Sequence, residues 1–280
     1  MLLTKEALKI DARLTTTRLK RFIKDYIQKT KAKGIVLGLS GGIDSSTVAA
    51  LSASAIGGRN VLALFMPERE TYNTLDKKHT KKLASKFGFS LATVDITDIV
   101  EACYKSIPAF DAKDRVSKGN IKARARIICT YYYANHQNRI VVGPSDKSET
   151  MMGYFTKWGD IAADISPLMD LYKTQVKQLA AHIGVPAGIV AKPSTPQLWP
   201  GQLAEDELGI GYETLDLVLL GLENFMTSEE IAQQLHLPLK IVQNVKSRWL
   251  STEHKRRAPL TMKMQYRTVG ADFRLPYTAP

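Results

Sequence analysis

Gly34-Ile35-Val36-Leu37-Gly38-Leu39-Ser40-Gly41-Gly42-Ile43-Asp44-Ser45-Ser46 is the stretch on which the reading of this chain turns. An apolar run of strand type feeds a Ser-Gly-Gly turn, and the turn opens into a helical pattern rich in Ala, Val and Leu. Glycines let the backbone bend until its N–H groups converge, and the start of a helix adds its positive end. Ser40, Gly41, Gly42, Ile43, Asp44, Ser45 and Ser46 are therefore candidates for an anion site that takes phosphate or pyrophosphate. Asp44 sits where a carboxylate would hold Mg²⁺ against those phosphates; it also suits a helix cap. The Walker form Gly-x-x-x-x-Gly-Lys-Ser/Thr occurs nowhere, which argues against a P-loop kinase or GTPase. A plain strand–turn–helix corner is the alternative, since Gly-Gly turns are common.

Outward from this corner, short apolar runs of β type lie at 35–39, 61–66, 91–96 and 140–143. Helical periodicity follows at 75–87 and 97–106, and a long helical segment, 115–136, precedes the fourth run. Strands alternating with helices predict an α/β fold: a doubly wound, Rossmann-like parallel sheet with helices on both faces. Ligands on such a sheet bind beyond the carboxyl ends of the strands, where Ser40 and Gly143 emerge. Residues 1–30 read as an amphipathic helix pair with Leu19, Phe22, Ile23 and Tyr26 on one face. Pro193, Pro196, Pro200 and Gly201 make 192–208 a loop, long enough to serve as a lid. A helical region at 212–250 leads into an irregular basic tail. The organisation expected is one domain over 1–280: a core sheet at about 30–190, the lid at 192–208, and a helical region with tail at 210–280.

With 280 residues, 44% of them hydrophobic, the chain can bury one substantial core. No apolar run approaches the roughly 20 residues that span a bilayer, and no signal-peptide core is visible, so no membrane partner is expected. Cys103 and Cys129 cannot build a metal cluster, and Cys129, in an Ile-Ile-Cys-Thr-Tyr run, reads as a buried thiol. A reducing cytoplasm fits this usage. The net charge of +12 raises nucleic acid as a partner. The basic residues are spread along the chain, however, and a basic surface suits equally an enzyme with phosphate-rich substrates.

Ser-Gly-Gly-Ile-Asp-Ser resembles the pyrophosphate loop of the N-type ATP pyrophosphatases, which adenylate an oxygen and release pyrophosphate. Further elements narrow the resemblance to NAD synthetases. Gly119-Asn120-Ile121-Lys122-Ala123-Arg124-Ala125-Arg126 is similar to that family's Gly-Asn-x-Lys-Ala-Arg-x-Arg. Glu149 followed by Gly153-Tyr154-Phe155-Thr156-Lys157-Trp158-Gly159-Asp160 is similar to its Glu…Gly-Tyr/Phe-Phe-Thr-Lys-Tyr-Gly-Asp. Asp164, Lys173, Pro193-Ser194, Leu198-Trp199, Gly201-Gln202 and the late His254-Lys255-Arg256 continue the pattern in order.

The resemblance implies the adenine nucleotide hydrolase type of doubly wound fold and a two-step reaction. The nicotinate carboxylate of deamido-NAD attacks the α-phosphorus of ATP; ammonia then attacks the acyl-adenylate and AMP leaves. It implies Mg²⁺ on Asp44 and Glu149, with Lys173 neutralising ATP phosphates and Ser194 as its hydroxyl partner. Asn120, Arg124, Lys157, Asp160, Asp164, His254 and Lys255 would serve deamido-NAD, with Asp160 placed for ammonium or the nicotinate ribose. It implies also a homodimer whose deamido-NAD site spans both subunits. No stretch of domain size is left for a glutamine amidase, so free ammonia is the expected donor.

The pattern breaks at three places. The archaeal form Gly-Thr-x-Asn-Lys-Ser-Glu reads Gly143-Pro144-Ser145-Asp146-Lys147-Ser148-Glu149 here, and the lid's Gly-Gln-x-Asp-Glu has Ala204 in place of its aspartate. Drift, or a paralogue that amidates another acyl-adenylate, would both account for this. From a different class, Thr227-Ser228-Glu229-Glu230-Ile231-Ala232 with Leu237-Pro238, Ile241-Val242 and Val245 has the outline of a helix-turn-helix, with Lys240, Lys246 and Arg248 nearby. A helical hairpin packed on the core reads the same residues without DNA.

Overall fold

The computed structural model describes residues 1–269, 272 and 273. Helix α1 (Ala12–Thr30) leads into β1 (Gly34–Gly38), α2 (Ile43–Ile56), β2 (Val61–Phe65), α3 (Thr74–Phe87), β3 (Ser90–Thr93) and α4 (Thr97–Ser106). The long α5 (Arg115–Gln137) precedes β4 (Arg139–Val141) and α6 (Lys147–Met152). Then come α7 (Lys173–His182), α8 (Ala187–Val190), α9 (Ala204–Leu208), α10 (Tyr212–Glu223), α11 (Ser228–Leu235), α12 (Leu239–Ser251) and α13 (Glu253–Arg256).

The sheet runs β3-β2-β1-β4, all parallel, with Ile35 opposite both Val61 and Ile140. Side chains of a strand alternate between faces, and the core divides accordingly. Ile35, Leu37, Val61 and Ala63 join α1, α2 and α7 on one side. Val36, Leu62 and Leu64 join Val100 of α4 with Ala125 and Ala134 of α5 on the other. The doubly wound reading is borne out. Helix α2 is buried from Ser45 to Ala53, as its all-round small and apolar composition requires when sheet and helices enclose it. The chain fills the sheet on one side of β1 and then crosses to β4 on the other. That reversal opens a crevice between the carboxyl ends of β1 and β4, the usual ligand position in such sheets.

A third cluster joins the two ends of the chain. Leu3 and Leu8 pack with Met151, Met152, Leu215, Val218, Ile231, Val242 and Val245. Each such side chain, fully buried, contributes about 1.5–3 kcal/mol. The helix-turn-helix outline therefore resolves as a hairpin: α11, closed by a Thr227–Glu230 capping box, and α12 turn Ile231, Val242 and Val245 inward. Arg248 of the same segment donates to the carbonyls of Met152 and Glu207 instead of facing solvent alone.

Several boundaries differ from the sequence reading. The third and fourth strands are shorter than 91–96 and 140–143, because both lie at sheet edges. The N-terminal pair is a single turn of 3₁₀ helix, Lys5–Leu8, before α1. On α1 Ile23 is fully buried, whereas Phe22, one position round the helix, is largely exposed. Region 212–250 breaks into three helices. Cys129 is half-buried, and burial pushes its thiol up. Of the 210–280 region, residues 270, 271 and 274–280 lie outside the described residues.

Candidate active site

The Ser-Gly-Gly turn leaves β1 at the crevice. Gly41 takes φ +81°, and a Cβ there would lie 3.1 Å from the Asp76 backbone, so a side chain is excluded both by conformation and by contact. The turn is knitted by two hydroxyls: Ser40 Oγ accepts from Gly42 N at 3.2 Å, and Ser45 Oγ accepts from Ser40 N at 3.2 Å. Gly42 is the N-cap of α2 and offers no side chain to its first turn. Free N–H groups at a helix start are anion donors. Ser40, Gly42, Ile43, Asp44 and Ser45 line a cavity of about 720 Å³. Gly41 backs onto α3, and the Ser46 hydroxyl is buried without a partner; neither lines the cavity.

Asp44 does not cap α2. Its Oδ2 accepts from Lys173 Nζ at 2.7 Å, and its Oδ1 is buried with no hydrogen-bond partner. Lys173, at the start of α7, is fully buried with its ammonium between three carboxylates: Asp44 at 2.7 Å, Asp146 at 2.8 Å and Glu149 at 2.8 Å. Burial alone would pull the ammonium down, but the three carboxylates overcome it and hold Lys173 well above its ordinary value. Burial pushes the Asp146 carboxyl up to about 6 and Glu149 well up, against the pull of Lys173. The sequence reading gave Lys173 to ATP phosphates; here the three acids hold its ammonium, and it does not line the cavity. Asp146, one of the departures from the family pattern, caps α6 by accepting from Glu149 N at 2.8 Å and faces Lys173 from the buried side.

Three carboxylates against one ammonium leave surplus negative charge beside the cavity, and Asp44 Oδ1 is an acceptor awaiting a donor or a cation. Both observations fit Mg²⁺ on Asp44 and Glu149. Mg²⁺ takes one or two carboxylates and draws its remaining ligands from phosphate and water.

The opposite wall comes from α5 and the segment after α6. Asn120 Oδ1 accepts from Thr156 Oγ1 at 2.8 Å, and Arg124 Nη2 donates to the Lys157 carbonyl at 3.1 Å. Asp160 Oδ1 accepts from Thr156 N at 2.7 Å. Enclosure by the cavity wall raises the Asp160 carboxyl, against that N–H bond. Lys157 Nζ reaches the His254 carbonyl at 2.8 Å, and Lys255 Nζ sits 4.7 Å from the Phe155 ring centre. Burial lowers the Lys255 ammonium. Asn120, Arg124, Lys157, Asp160, His254 and Lys255 thus converge on the cavity. Asp164 does not: it closes the sheet, accepting from Val141 N at 2.7 Å and from the Tyr131 hydroxyl at 3.3 Å.

The loop 192–202 covers the cavity and brings Ser194 and Trp199 to its wall. Ala204, a further departure beside Pro144 and Asp146, is buried at the start of α9, its N–H bonded to the Ser194 carbonyl at 3.0 Å. Sequence reasoning missed Asp76, which the loop grips, and the buried Lys122, which lies 2.7 Å from Glu68 and 2.6 Å from Glu70. An acid in the first turn of α3 reads as ordinary helix chemistry, and the partners are distant in sequence.

The cavity thus has a glycine turn at a helix start on one side and a wall with Arg124, Lys157 and Lys255 on the other. A sequence profile of the NAD synthase family matches residues 15–259. An NH(3)-dependent NAD(+) synthetase of Hyperthermus butylicus is 43% identical over 255 residues, 91% of this chain and 92% of the relative. Among solved structures, NMN synthetase from Francisella tularensis superposes with a TM-score of 0.81 at 32% identity, over 91% of this chain and 100% of that one. The NH3-dependent NAD synthetase of Campylobacter jejuni, solved with nitrate ion, gives a TM-score of 0.76 at 28% identity, over 91% and 100%. This chain belongs to the NAD synthase family.

Proposed function

We infer that this protein makes NAD by ATP-dependent amidation of deamido-NAD with free ammonia, through an adenylated intermediate, releasing AMP and pyrophosphate. The observation that carries the reading is a phosphate-binding turn and a cationic, hydrogen-bonding wall on two sides of one cavity. The free N–H groups at the start of α2 stabilise charge on departing pyrophosphate, a fixed arrangement that needs no reorganisation as the bond breaks. Asp44 and Glu149 would hold Mg²⁺, which supplies Lewis-acid neutralisation of the phosphates. Lys173 keeps the two carboxylates in register and moderates their repulsion. Arg124 and Lys157 bind acceptor phosphates, while Asn120 and Thr156 fix its sugar. Asp160, exposed at the cavity wall, accepts hydrogen bonds from incoming ammonium. The loop 192–208 excludes water from the reactive acyl-adenylate.

Helix α5 supports a homodimer. Arg124, Ile128, Tyr132 and His136 follow one another at four-residue spacing along a single face, and all are exposed. The stripe starts at the cavity, so a second copy seated on it would extend the acceptor site. No helix of the described residues is long and apolar enough to cross a membrane, which agrees with a cytoplasmic enzyme.

A second reading concerns the acceptor. The likeness to an NMN synthetase, together with Pro144, Asp146 and Ala204, favours testing the nicotinate mononucleotide beside the dinucleotide. The decisive assay supplies ATP, Mg²⁺ and either acceptor, with ammonium or glutamine. NAD, AMP and pyrophosphate formed with ammonium and deamido-NAD, but not with glutamine, is the expected outcome. Faster amidation of the mononucleotide would reassign the acceptor, and pyrophosphate without any amide would leave the adenylating half alone standing.

A further inference from the structure

We propose that Asp76 is a positioning residue for this reaction: a latch that holds the loop 192–202 over the cavity and couples it to the phosphate-binding turn. The proposal builds on the ATP-dependent reading above only for its kinetic consequence.

Asp76 lies in the first turn of α3 and is 1% exposed. A carboxylate so deeply buried needs partners, and its own helix supplies none, since Asn73 already caps α3 by accepting from Leu75 N. Both partners come from the loop. Lys192 Nζ meets one carboxylate oxygen, and Gln197 Nε2 donates to the other at 2.5 Å. The acid therefore pins both ends of the segment 192–197.

Gln197 holds φ +52°, a left-handed conformation that a long side chain adopts only where its surroundings compensate. Its bond to Asp76 is that compensation. Pro193, Pro196 and Pro200 have no N–H to donate, so the loop can make few backbone bonds to the body of the protein. Those it makes are Lys192 N to the Ile189 carbonyl at 3.3 Å and the Ser194 carbonyl from Ala204 N at 3.0 Å, at the two ends of the loop; between them the bonds are internal, Gln197 N to Thr195 Oγ1 at 3.2 Å and Leu198 N to Gln202 Oε1 at 2.9 Å. Beyond the latch, Leu198 and Trp199 rest against Gly119 of α5.

The same residue touches the other half of the site. A Cβ on Gly41 would lie 3.1 Å from Asp76 Cα, so the start of α3 packs directly on the Ser-Gly-Gly turn. Phosphate turn, α3 and loop form one connected unit, and Ser194 is carried to the cavity wall by it. With the latch made, the loop is ordered before ATP arrives, and binding does not have to supply that ordering.

The test combines amide hydrogen exchange of peptides covering 192–208 in the substrate-free full-length chain with ATP binding by calorimetry and steady-state kinetics. In Asp76→Ala, exchange in 192–208 is expected to rise about tenfold or more while peptides of β1 and α2 stay as in the wild type. ATP affinity and KM for ATP should weaken about tenfold with kcat within about twofold. Asp76→Asn keeps an acceptor for Gln197 without the charge and should recover part of both effects. Asp76→Ala combined with Lys192→Ala should be no worse than Asp76→Ala alone. Should Asp76→Ala misfold, Gln197→Ala leaves the buried acid in place and must show the same pattern at about threefold. Unchanged exchange of the loop, faster exchange with unchanged ATP affinity, or an equal rise in β1 and α2 would each overturn the proposal. If the wild type fails to amidate any acceptor, the functional reading falls, while exchange and ATP calorimetry still decide the latch.

Discussion

Asp44 shows how far a single residue can be read without coordinates. Its place after Ser-Gly-Gly marks it for phosphate chemistry, and in the structure its Oδ1 is buried without a hydrogen-bond partner. Its bond to Lys173, 129 residues away, was not legible, because nothing in either local sequence encodes the meeting of α2 and α7. Asp164 is the converse case: motif position put it at the acceptor, whereas folding spends it on the end of β4. Asp44→Asn should reduce adenylation by about 10²–10³-fold or more, measured as pyrophosphate release, with the circular dichroism spectrum unchanged. A fully active variant would remove Asp44 from the metal assignment. Glu70 gives a pH prediction of definite sign. The hydrogen bond from Lys122 holds its carboxyl below the ordinary 4.5, against the opposing effect of burial. On acidification the unfolded chain takes up this proton before the folded one does, so stability present above pH 4.5 is lost as pH falls below it. In Glu70→Gln the fall of Tm through that window should be shallower than in the wild type; an identical slope would deny Glu70 a share in acid unfolding.

At the scale of elements, the strands and the Ser-Gly-Gly corner were legible because their signals are local: short continuous apolar runs, a glycine turn, then a buried helix. The hairpin α11–α12 was legible as two helices but its use was not, since a DNA-reading hairpin and a packed one share the same apolar spacing. Only the burial of Ile231, Val242 and Val245 against Leu3 and Leu8 separates them, and those contacts join opposite ends of the chain. The lid is intermediate: prolines announce a loop, but not what it rests on. Gly119 of α5 is part of that support, for a Cβ there would lie 2.9 Å from Leu198 Cβ. In a helix interior, Gly→Ala ordinarily stabilises by up to about 1 kcal/mol. Here the methyl group would push Leu198 and Trp199 outward. Gly119→Ala should therefore leave Tm within a few degrees of the wild type while KM for ATP rises about tenfold. A variant with unchanged KM would show that the loop can seat itself without this contact.

The whole molecule poses a question of completeness. One chain carries the Ser-Gly-Gly turn and the wall proposed for the acceptor, and the stripe that continues from Arg124 runs from the cavity onto exposed surface. Ile128 and Tyr132 are 64% and 65% exposed on a helix that buries Ala123, Ala125, Thr130 and Ala134, and the Tyr132 ring stacks on His136 with centroids 5.8 Å apart. Apolar and aromatic groups at four-residue spacing on an otherwise charged protein are the composition of an interface core. A two-fold partner would bring the same stripe back against itself, and it would do so beside the acceptor wall. If that is how the site is finished, association and catalysis must fail together. The wild type should sediment at twice the chain mass of 31.1 kDa. Ile128→Glu, which would desolvate a charge at the centre of the contact, should raise the dimer dissociation constant by about 100-fold. At protein concentrations where that variant is monomeric, KM for the acceptor should rise while ATP binding is retained, because the phosphate turn belongs to one chain. A monomeric Ile128→Glu enzyme with unchanged acceptor KM would show that each chain holds a complete site, and the exposed stripe would then need a different partner.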